Sequence, residues 1–124
     1  MSTRTPLSKV QGLGSAHSGV EHFWRQRATA VALVPLAIWF VISALHLVGG
    51  DHADVANFLN RPVNAILMIL FVLAGATHMS LGVQVVIEDY VESEGGKVVL
   101  LLANKAFAWI VGAASLFAVL KMAL

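Results

Sequence analysis

The sequence has no cysteine, which excludes a disulfide, a thiolate-held iron–sulfur cluster and a cysteine-built zinc site within this chain. Charge is scarce as well. Asp, Glu, Lys and Arg make up 12% of the 124 residues, about half the share in an ordinary soluble domain. With a net charge of +1 and no basic patch interleaved with aromatics, nothing argues for nucleic acid as a partner. Residues 1–27 contain no apolar stretch of the kind a cleaved secretory signal needs. Heptads, internal duplications and low-complexity tracts are also missing. What remains is a chain that is 58% apolar with a mean hydropathy of +0.80. Its solvent is lipid, and it reads as an all-α integral membrane protein.

Residues 1–27 form a polar N-terminal segment, and residues 28–122 a three-helix transmembrane domain with spans at about 28–49, 62–90 and 98–120. In the N-terminal segment, Gly12, Gly14, Ser15, Ser18 and Gly19 predict irregular chain. No acidic residue precedes Glu21, a pattern shared by transit peptides and by plain cytoplasmic tails. From Glu21 to Arg27, charges alternate with Phe23 and Trp24, as in an interfacial anchor. Arg25 and Arg27 have two open readings here: contact with lipid phosphates, or with carboxylates of a bound cofactor. Pro35 lies early in the first span and removes one internal hydrogen bond. Trp39 and His46 read as packing or interface residues. Between the first two spans, Val55 to Leu59 suggests one amphipathic turn, which Asp51 can cap, and Pro62 suits the first turn of the second span. Lys105 interrupts the third span early, where it can snorkel to the headgroups, and Gly112 to Ser115 form a small-residue patch suited to helix contact.

The second span carries the sequence's most pointed feature. Between Pro62 and Ile87 there is no Asp, Glu, Lys or Arg, yet His78 stands in the middle with Gly75 and Gly82 one turn to either side on the same face. A flat macrocycle coordinated through an imidazole needs such a notch, so small-His-small suits a haem seat. A hydrogen bond across a helix interface is the alternative. Asp89 returns to nearly the same face, followed by Tyr90, where the apolar run meets water ~16 Å along the helix from His78. A carboxylate and a phenol there suit a small carbonyl ligand arriving from the membrane, or simply mark the interface.

Lys and Arg counts set the orientation. Arg4, Lys9, Arg25, Arg27 and Lys97 fall on one side and Arg61 and Lys121 on the other, which puts the N-terminus, Asp89 and Tyr90 in the cytoplasm. His78 then lies ~15 Å from Glu88, near mid-membrane, and His46 ~28 Å from Arg27, near the far surface. Two axial ligands of one iron are only about 4 Å apart. His46 is therefore excluded as a second ligand, as are His17, His22 and His52 in flanking segments. A six-coordinate haem on His78 requires a ligand from another polypeptide.

These residues carry a resemblance. Gly19-Val20-Glu21-His22-Phe23 with Arg27-Ala28-Thr29 before the first span, then His78, Gly82, Gln84 and Asp89-Tyr90 in the second, resemble the hydrophobic membrane anchor subunits of succinate dehydrogenase, the smaller D-type cytochrome b556 chains of bacterial and mitochondrial complex II. The likeness extends over about residues 19–120 in architecture. It implies half of a two-chain anchor in the bacterial cytoplasmic membrane, or less readily the mitochondrial inner membrane. This anchor would hold a flavoprotein and an iron–sulfur subunit. Electrons from succinate would pass through FAD and iron–sulfur clusters on those partners to ubiquinone, linking the tricarboxylic acid cycle to the respiratory chain. By the same resemblance, His78 is one axial ligand of a haem b shared with the C-type cytochrome b anchor chain, and Arg27 contacts a haem propionate. Tyr90 donates to a quinone carbonyl and Asp89 belongs to the quinone site. The flavin site lies on another chain, and this chain itself has no catalytic residue. His22 and Arg25 fall in a stretch the family varies. Related anchors bind two haems or none, and fumarate reductases run the same architecture in reverse. Two rivals stand beside this reading: a structural anchor without cofactor, and a small proton-coupled transporter, against which the chain has neither broken spans nor an inverted repeat.

Overall fold

The structure, a computed structural model, describes residues 5–11 and 18–124. Arg4, Gly12, Gly14, Ser15 and His17 lie outside the described residues, as does the side chain of Lys9. Among the described residues every regular element is a helix: α1 (Pro6–Gln11), α2 (Ser18–Leu47), α3 (His52–Asn60), α4 (Pro62–Tyr90) and α5 (Glu94–Ala123). Three of them, α2, α4 and α5, are long and apolar enough to cross a bilayer.

Each boundary has a local cause. α2 ends in a turn where Gly49 takes φ +85°, a conformation that glycine adopts without a Cβ penalty, and the Gly50 amide donates to the Leu47 carbonyl at 3.0 Å. Asp51 then caps α3 through a complete capping box. Its carboxylate accepts from the Asp54 amide at 3.1 Å, and the Asp54 carboxylate accepts from the Asp51 amide at 3.0 Å. The expected single turn is thus a nine-residue helix. Arg61, in extended conformation, ends α3 and starts α4, with Pro62 in the first turn, where its missing N–H costs nothing. Ser93 caps α5 by accepting from the Gly96 amide at 3.2 Å.

The N-terminal side differs from the expectation of irregular chain around Ser18 and Gly19. Both residues are helical, and α2 runs unbroken from Ser18 through the charged and aromatic stretch into the apolar span. Glycine and serine lower helix propensity but do not forbid helix where the following residues propagate it. Pro35 accordingly sits well inside α2, and Lys105 sits about three turns into α5.

α4 is the central element. Both α2 and α5 pack along it, while α3 lies against α4 and α5 at the end opposite the N-terminus. Along the α2–α4 seam, Phe40 and Phe71 stack with centroids 4.7 Å apart, and Trp39 stacks on Phe58 of α3, which makes it a packing residue. On the α4–α5 seam, buried Asn104 donates from its side-chain amide to the Ser80 carbonyl at 2.8 Å, and Gly112 faces Ala76. Asn60 and Asn64 tie α3 to its neighbours, donating to the Ala123 and Phe58 carbonyls.

Candidate functional site

Three contacts, each about one helical turn from the next, set the register of α2 against α4. Gly75 faces Leu33, His78 faces Thr29, and Gly82 faces Gln26. Residue numbers rise on one helix as they fall on the other, so the two run antiparallel. The same spacing recurs on both helices, i, i+3 and i+7, which is one continuous stripe on each. A Cβ placed on Gly75 or Gly82 would meet Leu33 at 4.0 Å or Gln26 at 3.7 Å, ordinary contacts, so the small residues serve close packing of α2 on α4 and the notch expected for a flat ring on this face is filled by α2.

At the middle contact, Nδ1 of His78 lies 3.1 Å from Oγ1 of Thr29. The same oxygen lies 2.8 Å from the Arg25 carbonyl and 3.1 Å from the Gln26 carbonyl, both one turn earlier on α2. A cavity of about 580 Å³ opens next to this contact. It is lined by His78 and Val85 of α4 and by Gly19, His22, Phe23, Gln26, Arg27 and Ala30 of α2. Two polar atoms on its wall, Nε2 of His22 and Oε1 of Gln26, are buried without a hydrogen-bond partner among the described residues. Buried polar atoms are ordinarily paired, and these two lie in residues that line the cavity. The Arg27 guanidinium stacks over the Phe23 ring, 5.0 Å from its centroid, as a cation–π pair.

The structure therefore brings His78 and Arg27 to one cavity and leaves Asp89 and Tyr90 outside its lining. The latter two close α4, both exposed, with Tyr90 at 81%. Glu88 beside them accepts from the Gln84 side chain at 2.9 Å. Arg25 is paired with Glu21 at 2.6 Å on the exposed face of α2. A second cavity of about 620 Å³ runs between α2 and α5, with Arg25, Glu21 and Lys105 at its polar end.

The register also moves a boundary. With His78 level with Thr29, the acidic end of α4 near Glu88 lies level with the first turn of α2, not with Arg27. Arg27 stands two residues, ~3 Å along the axis, from the level of the imidazole, inside the helical bundle's length. Sequence reasoning placed the water boundary at Arg27 because that is where charge stops. It also missed Thr29, Gln26 and His22 as neighbours of His78. The available signal was the matching stripe of Gln26, Thr29 and Leu33 opposite Gly82, His78 and Gly75. Among the described residues no three His, Cys, Asp or Glu side chains gather into a self-sufficient metal site.

Comparison with known proteins gives a consistent set of likenesses. The family model described as succinate dehydrogenase/fumarate reductase transmembrane subunit matches residues 1–120. A succinate dehydrogenase hydrophobic membrane anchor subunit of Paracoccus denitrificans is 33% identical over 120 residues, covering 97% of this chain and 92% of the relative. One from Rickettsia bellii is 35% identical over 105 residues, 85% of this chain and 84% of the relative. A succinate dehydrogenase membrane anchor subunit of Reclinomonas americana is 30% identical over 94 residues, 73% of this chain and 78% of the relative.

Proposed function

The chain belongs to the succinate dehydrogenase/fumarate reductase transmembrane subunit family, and from that premise we propose that it anchors a succinate:quinone oxidoreductase in the bacterial cytoplasmic membrane and contributes one axial ligand to a haem b. The observation that carries the haem reading is the cavity that His78 and Arg27 line together with His22 and Gln26. These residues fit the group. An imidazole nitrogen is a haem-iron ligand, and a guanidinium neutralises a propionate with bidentate geometry.

The second ligand comes from outside this chain. His22 lies two turns along α2 from Thr29, ~10 Å from the level of His78, and His46 lies ~25 Å away. No second histidine of this chain reaches the level of His78, so a C-type anchor chain would supply the other ligand. When bound, haem supplies a one-electron carrier between the two anchor chains. The residues of this chain would hold and orient it: His78 would ligate through the cavity it lines, and Arg27 on the same cavity would balance carboxylate charge. At the end of α4, Tyr90 donates a hydrogen bond to a quinone carbonyl, and Asp89 beside it belongs to the same site at the water boundary. The iron–sulfur and flavoprotein subunits dock on the same, N-terminal and cytoplasmic, side and deliver electrons from succinate to ubiquinone.

The test is a reduced-minus-oxidised visible spectrum of the purified complex, wild type beside His78→Ala. A b-type signal that is lost with His78 is expected. A signal that persists would move the haem to other ligands, and no signal in either protein would leave a cofactor-free anchor as the better account.

A further inference from the structure

We infer that Thr29 is a positioning residue for His78, fixing the imidazole as the Nδ1–H tautomer so that Nε2 is the nitrogen offered to iron. The inference rests on the haem-ligand reading of His78 and adds to it the residue that selects which nitrogen ligates.

The protons available around Thr29 select the tautomer. A threonine hydroxyl carries one hydrogen and two lone pairs. Around Oγ1 of Thr29 stand three polar neighbours: the Arg25 carbonyl at 2.8 Å, the Gln26 carbonyl at 3.1 Å and Nδ1 of His78 at 3.1 Å. The two carbonyls can only accept. They hold the hydroxyl proton on the α2 side, shared between them, as helix-borne threonines commonly do. The oxygen then turns its lone pairs toward α4, and the arrangement is satisfied only if Nδ1 carries a hydrogen and donates it. With the opposite tautomer, Nδ1 would need the hydroxyl proton itself, and both short carbonyl contacts would face an oxygen without a hydrogen. The Nδ1–H tautomer therefore keeps every contact a hydrogen bond. A neutral imidazole protonated on Nδ1 has its free lone pair on Nε2, the form in which histidine ligates through that atom.

Two further features make this a fixed arrangement. Of the two χ1 rotamers open to a helical threonine, the one here is held by the contacts to the Arg25 and Gln26 carbonyls, which keep the hydroxyl at the seam. The register is pinned by the contacts one turn to each side, Gln26 against Gly82 and Leu33 against Gly75. Nε2 of His78 has no hydrogen-bond partner among the described residues, which leaves it available for coordination. Hydrogen bonding at the distal nitrogen of a ligating histidine orients the ring and raises its basicity.

The experiment compares the intact complex with Thr29→Val, which keeps the branched shape and removes the hydroxyl, and with Thr29→Ser, which keeps the hydroxyl and removes the methyl group. Assembly is checked by succinate oxidation with an artificial acceptor. Haem is followed by redox titration and by low-spin electron paramagnetic resonance. Thr29→Val is expected to hold haem about 10–100-fold more weakly. Whatever haem it retains should titrate at a higher potential, by about 59 mV for each tenfold loss of preference for the ferric form, with altered g values. Thr29→Ser should return both readouts to the wild-type values. A Thr29→Val complex with wild-type potential and g values would overturn the assignment while leaving His78 as ligand. Equal haem loss in Val and Ser would also overturn it, in favour of packing. Haem that survives His78→Ala, or is missing from the wild type, would instead remove the reading beneath it.

Discussion

Tyr90 tests the quinone proposal at a single atom. It ends α4 with its side chain in the open, and its hydroxyl makes no contact that packing depends on. Tyr90→Phe should lower quinone reductase activity ~10-fold, the effect of one lost hydrogen bond to a reacting carbonyl. Succinate oxidation by an artificial acceptor should stay unchanged, and equal loss of both activities would mean misassembly. At this scale, the readable residues were those whose chemistry conflicts with their surroundings. An imidazole in the middle of a charge-free run and a guanidinium at its edge stand out in one dimension. Thr29 does not, because a threonine is unremarkable in any helix. Only the pairing of two stripes from distant parts of the chain gives it a role, and that pairing depends on how α2 and α4 dock. His22 was set aside as a flanking residue for a related reason: the end of α2 was drawn where charge begins, whereas helix propagation carries it back to Ser18.

Between elements, the α4–α5 seam rests on one polar contact and one close approach. Asn104 is 8% exposed and spans to the Ser80 carbonyl, a hydrogen bond across a membrane helix pair of the kind worth roughly 0.6 kcal/mol and at most about 2. Asn104→Ala should lower stability in mixed micelles by that amount and no more, because the Ser80 carbonyl keeps its place in the helix. Gly112 is buried, but a Cβ there would meet Ala76 at 3.7 Å, an ordinary contact. Gly112→Ala should therefore be tolerated, while Gly112→Leu should force the helices apart and cost about 1–3 kcal/mol in the same unfolding assay. The helices themselves were legible from length and apolar content. The extra length of α3 was less so. Its apolar residues mark one turn, whereas the capped helix runs over nine residues, with the reciprocal bonds of Asp51 and Asp54 at its start.

As a whole molecule the chain has very little interior. Among the described residues only Leu59, Ile87 and Val119 are buried apolar side chains, while Val31, Ile38, Leu45, Trp109, Ile110 and Phe117 are exposed. In a membrane such surface meets lipid or another helix. Its topology can be tested without background labelling, because there is no native cysteine. A cysteine at Glu92 should react with a membrane-impermeant maleimide only from the cytoplasmic side, and one at Asp54 only from the opposite side; the reverse pattern would invert the proposed orientation. The two cavities lie toward the N-terminal half of the bundle, and α3 lies at its other end, joined to α2 by the Gly49 turn and the Trp39–Phe58 stack. That asymmetry gives the molecule leverage. α2 is ~45 Å long, so each degree of tilt about the α3 end shifts its first turn by ~0.8 Å. A conservative change in the small outer helix, chemically remote from every proposed ligand, is then a fine adjustment screw for the width of the opposite rim.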